Sequence, residues 1–384
     1  MALVLYRKYR PKSFNELVGQ EHIVTTLTNA LAANRVGHAY LFAGPRGTGK
    51  TTVARLLAKA VVCEESGDRG QGTGYRGQGA GFTEACNVCI HCAAILEGKH
   101  PDLVEIDAAS NRGIDEIRQL KESVRVAPMQ ARMKIYIIDE THMLTEPAFN
   151  ALLKTIEEPP AHALFILATT EINKVPATIQ SRTQRFDFKT IPLPQIVGRL
   201  GTIVAAEQVK VSLEALELIA QTADGSIRDA ESMLEQVLAF SQGAIGAQET
   251  IAILGLADTA LVQAIAEALS KKDSGKAIAI INDAVSRGVD ALHLTAGLAS
   301  YLRDILLLSI DPKLKELLLR RASTTYVDTA QKHANAFLPE ELTTMIPQII
   351  DALELAKRSP VPQLPLELAL ITIMQKHPVS FNEK

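Results

Sequence analysis

Residues 44–51 read Gly-Pro-Arg-Gly-Thr-Gly-Lys-Thr and match the pattern G-x-x-x-x-G-K-[ST] at every specified position. The pattern constrains the fold because it works only between a buried strand and a helix. Both neighbours are legible. Residues 38–43, His-Ala-Tyr-Leu-Phe-Ala, are a short apolar run of the kind a parallel strand covered on both faces requires. Residues 51–62 carry Val53, Leu56, Leu57 and Ala60 at helical spacing. Gly44, Gly47 and Gly49 allow a tight turn whose N–H groups face phosphate oxygens, and the helix N-terminus adds a favourable dipole. Pro45, Arg46, Thr48, Lys50, Thr51 and Thr52 complete the candidate triphosphate cradle. Lys50 is expected to reach the β- and γ-phosphates, and Thr51 to ligate Mg²⁺.

A second signature follows at residues 134–140, Lys-Ile-Tyr-Ile-Ile-Asp-Glu. At the carboxyl end of a central strand, Asp139 would hold Mg²⁺ or its waters, while Glu140 would orient and deprotonate an attacking water. The Asp-Glu pair favours hydrolysis over binding alone. Residues 163–170 are a further buried strand ending in hydroxyls, which puts Thr170 at its tip, facing Glu140. The triplet Ser-Arg-Thr at 181–183 places Arg182 on a loop at the domain edge, before a small strand at 185–188.

The remaining segments fix the organisation. Residues 6–19 read as loop and 21–33 as an amphipathic helix. A strand at 103–106 leads to a helix with Ile114, Ile117, Leu120 and Val124 in register, for which Ser110 or Asn111 is the expected cap. Arg112 at that helix start is a candidate phosphate contact, with an ordinary capped helix and a solvated arginine as the alternative. Prolines in Ile-Pro-Leu-Pro-Gln at 191–195 mark a boundary, beyond which strand signals vanish. Residues 195–243 read as a small helical unit in which Arg228 sits at a helix start. A break at 242–246 opens a third, helical domain running to about 376, with the stripe at 298–308 as core, and 377–384 as a frayed tail.

All four cysteines fall in one cluster, Cys63 and then Cys86-x-x-Cys89-x-x-Cys92. That is the arithmetic of a tetrahedral metal site stapling a glycine-rich insertion, residues 64–85, back to the end of the phosphate-loop helix. Zinc is the first expectation. An iron–sulfur cluster is the metal alternative, although the x-x-x-C-P continuation is missing, and redox cysteines are the other. His91, between ligands, is expected to face solvent.

With a net charge of −3, a general basic coat for nucleic acid is excluded, and the absence of tryptophan with 4% aromatics disfavours base stacking. Any nucleic-acid contact is expected to use a local patch and the backbone. No apolar run of about 18 residues and no signal-peptide order are evident, so a cytoplasmic protein with no membrane partner is expected.

Together, the loop, the Asp-Glu strand end, the hydroxyl strand tip, the edge arginine and the arginine of a helical unit resemble the AAA+ ATPases over residues 1–243. Tyr-Arg-Lys-Tyr-Arg-Pro at 6–11, Val-Gly-Gln at 18–20, Glu-Glu-Pro-Pro at 157–160, the Ser-Arg-x triplet and Gly-Ser-Ile-Arg-Asp-Ala at 225–230 narrow this to clamp-loader ATPases. The cysteine insert is similar to that of the bacterial members; eukaryotic and archaeal subunits lack it. The resemblance implies an α/β P-loop AAA+ domain, a parallel sheet with flanking helices, at 1–190 with the insert at 63–92. A small helical lid domain at 191–243 and an all-helical collar domain at 244–376 follow.

By the same resemblance Lys50 and Thr51 match Walker A, Asp139 and Glu140 Walker B, Thr170 sensor 1 and Arg228 sensor 2. Arg182 matches the arginine finger that completes the ATP site of an adjacent subunit. Arg10, Pro11, Val18 and Gly19 lie where the family holds adenine, and Arg112 where it tracks DNA phosphates. Thr183 replaces the usual cysteine of Ser-Arg-Cys, and the spacing from Cys63 to Cys86 is longer than the family's, which loop closure tolerates. The implied function is that of a motor subunit using ATP, Mg²⁺ and Zn²⁺, which hydrolyses ATP to load a sliding clamp onto primed DNA. Its partners would be other clamp-loader subunits, including copies of itself. The chain ends soon after the collar, so a short form or a truncated piece is expected, without the domains by which longer members tether polymerase and helicase. A non-hydrolysing scaffold and a branch-migration helicase are the rival readings.

Overall fold

A computed structural model describes residues 4–64, 84–111, 113–240, 243–254, 259–319 and 324–376. Most of the glycine-rich stretch, Arg112 and the tail at 377–384 lie outside the described residues. The chain divides into two compact units, residues 1–208 with 219–235, and residues 209–218 with 236–384.

The first unit is built on five strands: β1 (Ala39–Ala43), β2 (Leu103–Asp107), β3 (Lys134–Asp139), β4 (Ala163–Thr169) and β5 (Gln184–Asp187). They lie in the order β2-β3-β4-β1-β5, and every neighbouring pair is parallel. Strands β1 and β4 are buried at every residue because helices cover both faces of the sheet. Alternation along β1 divides the core between those faces. Tyr40 and Phe42 pack with Leu57 of the helix Lys50–Val62 and Leu27 of the helix Glu21–Ala32. Leu41 packs with Ile117 of the helix Ile114–Val124 and Leu152 of the helix Glu146–Glu157.

Parallel pairing brings every strand's carboxyl end to one edge. The register pairs Ala43 with Thr169 and with Asp187, and Ile138 with Leu167, so the residues just after β1, β3 and β4 gather there. The chain leaves β1 for β2 at the far edge while β4 lies beside β1, the kind of switch point at which open α/β sheets bind ligands.

Two local expectations are corrected. The helix Ile114–Val124 is preceded by Gly113 at its N-cap and has no side-chain cap. Ser110 and Asn111 instead fold back on Asp107: Ser110 Oγ donates to its carboxylate at 3.0 Å and Asn111 Nδ2 to its carbonyl at 3.0 Å. A short polar side chain can satisfy a turn as readily as a helix end, and here the turn wins. Within residues 6–19, read as loop, lie the end of a short helix, Leu5–Lys8, and a 3₁₀ turn, Phe14–Glu16.

The second unit is helical. Its longest helix, Ala291–Ile310, buries Leu294, Leu298, Tyr301, Leu302, Ile305 and Leu308 at helical spacing. They share a core with Leu342, Met345 and Ile349 of the helix Pro339–Ala356 and with Val327 and Ala330 of Thr324–Ala334. This helix is long and apolar enough to cross a bilayer by length and composition, although Arg303 and Asp304 interrupt its apolar residues. Half of its most apolar window is buried inside the unit, as in a core helix.

Candidate nucleotide cleft and cysteine centre

A cleft of about 910 Å³, open mouth included, lies at the carboxyl edge of the sheet. Arg46, Gly47, Thr48, Gly49, Lys50, Thr51 and Thr52 line it from the phosphate loop, and Asp139 and Glu140 from the end of β3. Arg10, Pro11 and Val18 form the wall from the N-terminal segment, and Arg228 reaches in from the helix Ile227–Phe240. Gly44 and Pro45 stand behind the loop, their carbonyls accepting hydrogen bonds from Lys50 Nζ at 2.8 and 2.7 Å. Gly19 lies behind the wall: a Cβ there would meet Ile191 Cδ1 at 2.7 Å, and its φ of +76° favours glycine.

Thr51 Oγ1 donates to Asp139 Oδ2 at 2.7 Å, which brings together a hydroxyl and a carboxylate, the hard oxygen donors that suit Mg²⁺. Burial pushes the Lys50 ammonium down in pKa, while the charges of Glu140 and Asp139 oppose that shift. Arg10, Arg46, Lys50 and Arg228 therefore face a cleft whose other arginine, Arg199, is already paired with Glu231 at 3.0 Å. Burial raises the Glu231 carboxyl, and Arg199 only partly offsets this. Glu16, Asp139 and Glu140 also line the cleft, which leaves a surplus of one positive charge, enough to suit an anionic ligand whose charge a divalent cation shares.

Glu140 leaves β3 in the left-handed region, φ 47°, which turns its carboxylate along the sheet edge. Thr170, one residue beyond β4, donates through Oγ1 to Glu140 Oε2 at 3.1 Å. The sequence reading missed His142. Its side chain is almost fully buried, with Nδ1 3.1 Å from Thr169 Oγ1 and 3.5 Å from Glu140 Oε2, and Nε2 3.4 Å from Glu171 Oε1. Arg182 is not among the residues that line the cleft; its guanidinium pairs with Glu157 at 2.8 Å and donates to the Thr178 carbonyl at 3.0 Å on a half-exposed edge.

Four further residues shape the cleft. Tyr6 lines it under Arg228, whose guanidinium lies 5.0 Å from the ring centroid. Gln20 is buried, donating to the Lys189 carbonyl at 2.7 Å and to that of Thr48 at 3.4 Å, and so braces the loop. Arg199 and Glu231 carry a signal in the sequence: each sits on the buried stripe of its helix, beside Leu200 and Ala230. A charge on an apolar stripe needs a partner, and these two supply one another.

At the far end of the helix Lys50–Val62, Cys63, Cys86, Cys89 and Cys92 have their Sγ atoms within 4.8 Å of one another. Tetrahedral zinc with bonds of about 2.3 Å requires sulfurs about 3.8 Å apart. The Cys86–Cys92 separation is 3.9 Å, and none of the four sulfurs is in a disulfide. Backbone amides of Cys86, Cys89 and Cys92 donate to the sulfurs of Cys63, Cys86 and Cys89 at 3.4, 3.2 and 3.5 Å, the pattern that stabilises thiolates. Burial, and after it the neighbouring cysteines, push the Cys86 and Cys92 thiols up, so a cation at the centre would be needed to hold the four as thiolates. The donor set fits a metal.

His91 does not face solvent. It is buried against His100, with Nδ1 2.9 Å from His100 Nε2, while the Asp102 amide donates to His100 Nδ1 at 3.1 Å. The helix Ile90–Leu96 turns residue 91 inward once Cys92 is buried, a constraint that spacing alone does not carry.

The chain matches three family descriptions in series: DNA polymerase III, delta subunit over residues 19–192; DNA polymerase III clamp loader subunit, ATPase lid domain over 195–243; and DNA polymerase III subunits gamma and tau domain III over 245–380. It is 42% identical over 372 residues to DNA polymerase III subunit tau of Bacillus subtilis, covering 97% of this chain and 63% of that protein. With subunit tau of Escherichia coli the identity is 41% over 310 residues, 80% of this chain and 46% of the relative. The chain thus spans less than two thirds of the length of either of these relatives. Against DNA polymerase III subunit gamma of Buchnera aphidicola it is 39% identical over 288 residues, and the match covers 75% of this chain and 76% of that protein. A parallel α/β unit carrying this cleft, followed by a lid and a gamma/tau-type helical domain in the same order, and matched to a gamma subunit over three quarters of its length, belongs to the DNA polymerase III gamma/tau family.

Proposed function

We propose that the chain is an ATP-hydrolysing motor subunit of a clamp loader, which places a sliding clamp on primed DNA during replication. The observation that carries the reading is the convergence of Lys50, Thr51, Asp139 and Glu140 on one cleft, with Thr170 hydrogen-bonded to Glu140. A site for binding alone has no need of a carboxylate held beside the place where water would attack.

In this reading the phosphate-loop amides and Lys50 hold the triphosphate, Arg228 holds it from the lid, and Arg10, Pro11 and Val18 hold the base, with Gly19 behind them. Thr51 and Asp139 hold Mg²⁺, which when bound neutralises charge on the phosphates. Glu140 takes the proton of the attacking water, and Thr170 fixes the carboxylate that does so. Arg182 serves the cleft of a neighbouring subunit. The four cysteines hold a structural zinc ion, residues 191–243 act as the lid and 244–376 as the collar through which subunits assemble. Arg112 is the proposed contact to DNA phosphates.

The test is steady-state ATP turnover of the chain alone and then with its partner subunits, clamp and primed DNA. Stimulation by the full combination, exceeding that by any single component, is expected. Nucleotide binding without turnover in any combination would identify a scaffold subunit, and strand separation in a helicase assay would identify a different motor.

A further inference from the structure

The cysteine centre and the nucleotide cleft share one helix and one loop. Lys50 opens the helix Lys50–Val62 beneath the cleft, and Cys63 closes it. Between them Lys59 is buried, 1% exposed, on the same helix. Its ammonium donates to the backbone carbonyl of Lys12 and to Asn87 Oδ1. Asn87 is the residue after Cys86, held in the left-handed region at φ 64°, so its position follows from the turn the thiols make. A second tie runs alongside, the Asn15 amide donating to Glu84 Oε1 at 2.9 Å.

Both ties end on one short loop. Lys12 and Ser13 close it by donating to the carboxylate of Glu16 at 2.8 and 3.1 Å. The residues immediately outside this closure, Arg10 and Pro11 before it and Leu17 and Val18 after it, line the cleft. The loop that carries one wall of the cleft is therefore pinned from behind by residues of the cysteine insert.

Electrostatics explains why a lysine is buried there. Four thiolates around a divalent cation leave a net negative charge of about two in a poorly solvated site, and such a charge favours a cation nearby. Without it, a buried ammonium with two neutral hydrogen-bond acceptors is stabilised only by the carboxylates of Glu16 and Glu84 nearby, and burial still pushes its pKa down. We propose that Lys59 is a positioning residue that couples the two sites: the metal-filled cysteine centre holds Lys59 and Asn87, these hold the loop at 12–16, and the loop sets the wall against which nucleotide binds. The proposal rests on reading the cleft as a nucleotide site and the four thiols as a metal centre.

The experiment measures nucleotide affinity with a fluorescent ATP analogue on the full chain, with metal content determined for each sample. Chelation of the metal is expected to weaken binding by on the order of tenfold, the effect of losing a buried charged hydrogen bond. Lys59→Met, which leaves all four thiols in place, should keep its metal and weaken binding to a similar degree. Removing metal from that variant should add little, because the two changes act through one linkage. Glu84→Ala, at the more exposed tie, should cost about two- to threefold and guards against misfolding of the buried variant. Hydrogen exchange of residues 10–18 should speed up in every weakened sample.

Unchanged affinity after complete metal removal from a folded chain overturns the coupling, as does a metal-loaded Lys59→Met that binds as tightly as the parent. Independent, additive losses from chelation and Lys59→Met would also overturn it. If the metal-loaded parent binds no nucleotide, or the chain as purified holds no metal, then the underlying reading of that site fails, and the proposal falls with it for a distinguishable reason.

Discussion

Glu140 occupies a backbone conformation that a β-strand residue would not choose, and the reason is where its carboxylate must go. At φ 47° the chain turns off β3 and brings Oε2 within 3.1 Å of the Thr170 hydroxyl and 3.5 Å of His142. Strain of this kind persists where the surroundings over-determine it, as at reacting sites. Glu140→Gln is expected to bind nucleotide as the parent does while turnover falls by about two orders of magnitude, the scale of a lost general base. Phosphate release checks this against a nucleotide titration, and normal turnover would remove Glu140 from the role. His142→Gln should lower kcat about tenfold with little change in KM, because His142 contacts the carboxylate and not the cleft. A change confined to KM would instead place His142 at the substrate. Gly47 faces a different limit: its φ is +73° and a Cβ would come within 1.8 Å of Ser226 Oγ. Gly47→Ala should therefore weaken nucleotide binding and lower the stability of the loop region by about 1–3 kcal/mol, measured by thermal and nucleotide titrations together.

Between elements, Asp102 does what no motif announced. It is buried just before β2, and its carboxylate accepts from the amides of Met129, Gln130 and Ala131 at 2.7, 2.8 and 2.8 Å, fixing the connection into β3. Burial alone would raise its pKa, but the three amides and nearby His100 outweigh burial and hold it below the usual carboxylate value. A carboxyl depressed in the folded state adds stability at pH above its unfolded value, about 4, and that contribution is lost as pH falls through the lower folded value. Asp102→Ala should cost about 2–4 kcal/mol at neutral pH by orphaning the amides, and its acid limb should be flatter than the parent's. Parallel denaturant titrations at pH 7 and at lower pH check both statements. The strands were legible because burial on both faces leaves apolar runs, as in Ala-Leu-Phe-Ile-Leu-Ala-Thr at β4. Asp102 was not, because its partners are backbone amides 27 to 29 residues away. The cap at 110–111 failed for a related reason: Asp107 offered those polar side chains a nearer partner. Around the cleft, the loop and the Asp-Glu pair declared themselves by pattern. His142 depends on contacts with Thr169 and Glu171 across the fold that spacing along one chain does not encode, whereas Arg199 and Glu231 show in the pattern as charges on apolar stripes, and only the fold shows that they pair.

At the scale of the whole molecule, Arg182 stands apart from the cleft of its own chain. Arg182 follows the short helix Ala177–Gln180, is held by Glu157 and the Thr178 carbonyl, and keeps about a third of its side-chain surface exposed. An arginine so placed cannot stabilise charge in the cleft of its own chain as described, yet it is free to be drawn from an exposed ion pair, which is worth little in water. If it completes a neighbour's site, catalysis becomes a property of the assembly. Arg182→Ala should then leave nucleotide affinity of the isolated chain within about twofold of the parent, while turnover of the assembled, DNA- and clamp-stimulated complex falls by about three orders of magnitude, the scale of a lost arginine finger. Glu157→Ala, which frees the guanidinium without removing it, should preserve most of the stimulated rate. Mixing Arg182→Ala chains with Glu140→Gln chains sharpens the test. Each mixed interface that joins an intact Glu140 to an intact Arg182 should recover turnover, whereas complexes made wholly of either variant should not. Failure of the mixture to recover, with both variants shown to co-assemble, would place Arg182 outside the shared site and return catalysis to the single chain.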